Sequence, residues 1–135
     1  MTARSADDLL VLARRRIRRV EPDQLEGLQA DGALVVDIRP AAQRATEGEL
    51  GFGVVVERNV LEWRFDLSGT HALPEVNGYD QPVVVVCSEG YASSLAAASL
   101  RDLGFTEAGD LTGGYRAWRR WHDGGATAAA PDAST

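Results

Sequence analysis

The sequence predicts a single α/β domain in which a mostly parallel sheet carries helices on both faces, and three observations lead there. Apolar runs rich in β-branched residues recur at residues 33–37, 54–56 and 83–86, as suits strands covered on both faces. Segments with the three-four apolar spacing of helices lie between them. Glycines and prolines punctuate the joints, and no internal repeat is present. The 135 residues are enough for one domain with its own core. A hydrophobic content of 44% and a charged content of 25% are ordinary for a soluble globular chain.

In chain order, Ser5 caps a helix expected from Asp7 to about Arg19, with Leu10, Ala13, Ile17 and Val20 on its apolar side. A short strand is expected near Val20. Pro22 opens a second helix with Leu25 and Leu28 inward, ending near Gly32. The run at residues 33–37 is a strand terminated by Asp37-Ile38-Arg39-Pro40, and strand ends are where open α/β sheets place their sites. Two readings of Asp37 and Arg39 stay open: they cap neighbouring elements or pair together, or they shape a site. Residues 41–47 form a short helix, 48–53 a glycine-rich turn, and 54–56 a third strand that leaves through Glu57-Arg58-Asn59. The segment 60–67, with Trp63 and Phe65, covers the sheet and brings Arg58 and Arg64 nearby. Residues 68–81 form a loop.

The four valines at 83–86 form a buried strand ending at Cys87, followed by a loop with Gly90 and a helix presenting Ala92, Leu95, Ala96, Ser99, Leu100 and Leu103 on one face. Strand, cysteine, tight loop and helix in succession aim backbone N–H groups and the positive end of a helix dipole at the sulfur, which favours a thiolate. A buried, inert cysteine at a strand end is the competing reading. Gly104 ends that helix, residues 105–111 supply a last strand, and Gly113-Gly114 turns the chain into a helix whose Tyr115, Trp118 and Trp121 read as core or edge packing, with a stacking platform as the alternative. The chain divides into residues 1–19, an arginine-rich amphipathic helix; 20–123, the α/β domain; and 124–135, a small-residue segment expected to be a disordered tail.

Composition excludes several functions. The net charge of −6 opposes nucleic-acid binding, and the run Arg14-Arg15-Arg16 with Arg18 and Arg19 reads as the solvated side of a helix. Docking of this helix to an acidic partner is the functional alternative. No stretch reaches the roughly 20 apolar residues of a membrane span or shows the apolar centre of a signal peptide, so the chain is read as cytoplasmic with no membrane partner. One cysteine and two histidines exclude an internal disulfide and argue against a zinc site. No cofactor is expected.

The order Val36-Asp37-Ile38-Arg39, Val85-Val86-Cys87-Ser88-Glu89-Gly90, Leu100-Arg101-Asp102-Leu103-Gly104-Phe105 and Leu111-Thr112-Gly113-Gly114-Tyr115-Arg116-Ala117-Trp118 resembles a single-domain rhodanese from about Val20 to about Trp121. The resemblance implies a five-stranded parallel sheet and Cys87 as a sulfur-accepting nucleophile. It implies Ser88, Glu89, Gly90, Tyr91, Ala92 and Ser93 as the substrate-binding loop. Apart from the resemblance, Asp37, Arg39 and Arg58 are candidates for shaping the site, with Arg39, Arg58 or Arg64 as a source of positive charge from another element. It also implies a sulfurtransferase that moves sulfane sulfur, as a Cys87 persulfide, from a small donor such as thiosulfate to a thiol, cyanide or protein acceptor. Three departures stand out. Ala92 occupies the position where the family's loop usually carries arginine, Glu89 lies inside the loop, and Gly48-Glu49-Leu50-Gly51-Phe52 replaces a His-Ile-Pro-Gly-Ala segment. The first two departures motivate the alternative of a catalytically weak rhodanese-like binding or regulatory module. A loop of this length without arginine does not suit a cysteine phosphatase, which clamps phosphate with that side chain.

Overall fold

The central strand explains the architecture. In a computed structural model that describes residues 2–128, β1 (Arg18–Val20), β2 (Leu34–Asp37), β3 (Val54–Val55), β4 (Val83–Val86) and β5 (Ala108–Leu111) form one sheet in the order β1-β5-β4-β2-β3. Every pairing is parallel. The valines of β4 alternate between two apolar layers, because successive strand residues point to opposite faces. Val83, Val85 and Cys87 pack with Phe65, Leu100 and Phe105 on one side, and Val84 and Val86 with Leu25, Leu111, Tyr115 and Trp118 on the other. Both faces being covered is why the run is continuously apolar.

The helices are α1 (Ala6–Arg14), α2 (Leu25–Ala30), α3 (Ala41–Glu47), α4 (Leu61–Phe65), α5 (Ala92–Leu103) and α6 (Gly114–Ala128). Ser5 and Asp8 cap α1 reciprocally, each side chain accepting from the other's backbone N–H at 3.0 Å. Short 3-10 turns at Pro22–Gln24 and Arg58–Val60 precede α2 and α4. Gly104 ends α5 with a φ of 122°, as expected of a residue after a helix. None of the described helices is long and apolar enough to cross a membrane.

Several boundaries differ from the sequence expectation. The first helix stops at Arg14 and does not continue to about Arg19, since Arg18–Val20 is extended and paired with β5. Val20 keeps helical spacing from Ile17, but its ladder with Leu111 and its near-complete burial decide the conformation. The segment 1–19 therefore includes most of an edge strand, and α1 packs on α5. In the expected last strand only Ala108–Leu111 pairs, while Phe105 sits in the core. Trp63 is 62% exposed, so Leu61 and Phe65 do the covering on α4. Tyr115 and Trp118 are core residues, whereas Trp121 is partly exposed. Residues 124–128, expected in a tail, continue α6. Residues 129–135 lie outside the described part.

At Gly109 the edge strand approaches so closely that a Cβ would stand 2.1 Å from the Arg18 carbonyl oxygen. Gly109→Ala is therefore expected to push β1 off β5 and destabilise the fold by about 1–3 kcal/mol, the usual range for overpacking. Urea unfolding measures this, and an unchanged midpoint would refute the close packing.

Candidate active site

Cys87 follows β4 at the carboxyl end of the sheet, and the chain then turns through residues 88–91 into α5. The residue is 7% exposed. Sγ accepts hydrogen bonds from the Gly90 N–H at 3.1 Å and the Ser93 N–H at 3.3 Å. Two amides and the amino end of a twelve-residue helix thus converge on one atom, an arrangement suited to a negatively charged sulfur. A shallow cavity of about 190 Å³ beside it is lined by Gln43, Cys87, Ser88, Glu89, Tyr91 and Ala92.

Gly90 is required by conformation and by space. Its φ is 89°, and a Cβ there would stand 2.8 Å from the Gly113 nitrogen. The loop in fact rests on the start of α6. Tyr115 N–H donates to the Cys87 carbonyl at 2.7 Å and Arg116 N–H to the Ser88 carbonyl at 3.0 Å. A Cβ on Gly114 would meet the backbone of Cys87, Ser88 and Glu89 at 2.6 Å. The glycine pair, expected only as a turn, lets two backbones touch.

Behind the loop lies a polar network centred on Asp110, which is fully buried. Ser93 Oγ and Ser94 Oγ each donate to Asp110 Oδ2 at 2.7 Å, and Arg19 Nε donates to Oδ1 at 3.0 Å. Arg19 Nη2 also reaches the Gly90 carbonyl at 3.2 Å. Arg14 donates to that same carbonyl at 2.8 Å and, through Nε, to Ser94 Oγ at 3.0 Å. Arg14 and Arg19 were expected on a solvated helix side; the structure places both against the loop.

On the other flank, Glu47 joins three groups. Its Oε1 accepts from Arg39 Nη1 at 3.1 Å and Ser88 Oγ at 3.0 Å, while Oε2 accepts from Arg116 Nε at 2.9 Å. Arg116 Nη1 in turn binds Glu89 at 3.0 Å, so this loop carboxylate is engaged by a cation. Burial would raise the Glu47 carboxyl, but hydrogen bonds from Arg116, Arg39 and Ser88 outweigh burial and hold it below its ordinary value. Arg39 is fully buried, pairs with Asp37 at 2.7 Å, and lies with its Cζ 3.9 Å from the Tyr115 ring centroid. Desolvation would weaken its protonation, yet Asp37 and Glu47 overcome this and raise it.

The residues singled out from sequence thus fall into three groups. Cys87, Ser88, Gly90 and Ser93 come together around the sulfur or directly beneath it, with Glu89, Ala92 and the exposed Tyr91 on the cavity wall. Asp37 and Arg39 pair with each other and reach the loop through Glu47. Arg58 is engaged by Glu62 at 3.0 Å and Arg64 by the His71 carbonyl at 2.8 Å, with no bond from either to the loop among the described residues. Sequence reasoning did not single out Glu47, Ser94, Asp110 and the loop contacts of Arg14, Arg19 and Arg116. Asp110 alone carried a signal, as a charge inside a strand buried on both faces. Among the described residues no group of three or more His, Cys, Asp and Glu is placed to hold a metal ion.

Comparison with known proteins places this geometry in context. Residues 21–120 match the family described as Rhodanese-like domain. A thiosulfate sulfurtransferase GlpE of Pseudomonas fluorescens (strain Pf0-1) is 33% identical over 102 residues, covering 76% of this chain and 84% of the relative. A solved rhodanese homolog of the extremely thermophilic bacterium Thermus thermophilus is 32% identical, with a TM-score of 0.54 over 74% of this chain and 99% of its own. A Rhodopseudomonas palustris CGA009 protein, described as of unknown function and a possible tyrosine phosphatase, superposes with a TM-score of 0.81 at 26% identity. It covers 90% of this chain and 94% of its own.

The depressed Glu47 sets the direction of a pH effect. Its contribution to stability is complete above the ordinary value of 4.5 and is lost as pH falls through the lower folded value. Glu47→Gln should lower the urea midpoint at neutral pH, and the gap from wild type should narrow in acid. A gap that stays constant across that range would contradict the assignment.

Proposed function

This chain belongs to the rhodanese-like domain family, and on that premise we propose that it is a sulfurtransferase in which Cys87 carries sulfane sulfur from a donor such as thiosulfate to a thiophilic acceptor. The observation that carries this reading is the sulfur itself, held by the Gly90 and Ser93 amides beside a small cavity. Relatives named thiosulfate sulfurtransferase at 31–35% identity support the donor class.

The chemistry is two displacements at sulfur. The Cys87 thiolate attacks the outer sulfur of thiosulfate; an S–S bond forms to Sγ as the S–S bond of the donor breaks, and sulfite leaves with the electron pair. The resulting persulfide anion carries the charge the thiolate had. An acceptor thiolate or cyanide then attacks the outer sulfur, forming a new persulfide or thiocyanate and returning Cys87 as thiolate. Both steps need a pocket that tolerates an anion on Sγ before and after transfer, and amides fixed in advance do so without reorganising. Glu89 lies beside the donor site, but its pairing with Arg116 offsets its repulsion of an anionic donor. Phosphate-ester hydrolysis fits less well, because the loop residues 88–92, Ser-Glu-Gly-Tyr-Ala, contain no arginine to grip a phosphate from two sides.

Incubation with thiosulfate is expected to add one sulfur atom per chain in intact mass, to be reversed by cyanide and to be absent in Cys87→Ser. No adduct, together with resistance of Cys87 to iodoacetamide until denaturation, would overturn this reading in favour of a binding or regulatory module.

A further inference from the structure

The loop 87–92 holds no basic residue of its own, yet two guanidinium groups converge on one of its carbonyls. Gly90 O accepts from Arg14 Nη2 at 2.8 Å and from Arg19 Nη2 at 3.2 Å. The two cations are not equivalent. Arg19 is matched by the buried Asp110 carboxylate, whereas Arg14 forms no ion pair among the described residues. Its other partners are Ser94 Oγ and the Tyr91 ring, whose centroid lies 5.8 Å from Cζ.

We infer that Arg14 is a positioning residue for the sulfur site: from α1, outside the matched residues 21–120, it supplies the loop with a positive charge through the Gly90–Tyr91 peptide. Two effects follow from the geometry. Tethering the Gly90 carbonyl holds the φ of 89° that aims the Gly90 N–H at Sγ. A cation on that carbonyl also polarises the same peptide unit, whose N–H belongs to Tyr91 on the cavity wall, and so makes the cavity more attractive to anions. The capping box at Ser5 and Asp8 and the packing of α1 on α5 fix the helix that delivers the charge. Substrate attraction here does not require an arginine in the loop.

The idea rests on the sulfurtransferase reading for its biological meaning, but its test does not. Cys87 is alkylated in parallel with iodoacetate, an anion, and iodoacetamide, its neutral analogue. Arg14→Gln is expected to lower the ratio of the two rates by about three- to tenfold, the size of one partly screened charge interaction. Arg14→Lys keeps the charge without both hydrogen bonds, so it should retain the ratio within about twofold while slowing both reactions. A ratio unchanged in folded Arg14→Gln, or lost equally in Arg14→Lys, would overturn the inference. If the ratio falls as expected but thiosulfate never charges Cys87, the inference stands and the donor assignment fails.

Discussion

Two backbone amides pointed at one sulfur atom are the constraint on which the rest of the structure depends. A thiolate or persulfide partly removed from water is costly unless donors surround it, and here the donors are Gly90 N–H and Ser93 N–H. Backbone donors cannot be aimed individually; they point where the loop points. The protein accordingly fixes the loop from three sides. Strand β4 delivers Cys87 from the centre of the sheet, the start of α6 binds the Cys87 and Ser88 carbonyls, and Asp110 anchors Ser93 and Ser94 at the first turn of α5.

Positive charge is arranged around this loop and not within it. On one flank Glu47 gathers Arg39, Ser88 and Arg116, and Arg116 holds Glu89. On the other, Arg14 and Arg19 grip the Gly90 carbonyl from the amino-terminal segment. The loop that looked defective in one dimension, with Ala92 where a cation was expected and an acid at position 89, is compensated in three. Glu89 is paired by Arg116, and positive charge arrives from residues far away in the chain.

What the sequence revealed and what it hid divide along a physical line. The four valines of β4, Gly104 after α5 and the strand-cysteine-loop-helix order express local propensity and two-faced burial, so the α/β fold and the position of Cys87 between strand and helix were readable. The number of strands and their parallel arrangement came through a family resemblance, which the sheet bears out. Hidden were contacts between residues distant in sequence. Arg14 lies in a run that any local criterion assigns to solvent, and only the packing of α1 on α5 turns it to Gly90. Ile17 and Val20 keep helical spacing although Val20 belongs to an edge strand, because pairing with β5 overrides periodicity. Gly113-Gly114 is a turn in sequence and a docking surface in space.

The most direct test of the central claim is the rate at which thiosulfate charges Cys87 in Gly90→Ala. A Cβ at this position conflicts with a φ of 89° and with the Gly113 nitrogen at 2.8 Å, so the loop must withdraw its amide from Sγ. Loss of one hydrogen bond to an anion predicts a fall of about 10- to 100-fold in a variant that remains folded by circular dichroism. Charging at the wild-type rate in such a folded variant would contradict the account.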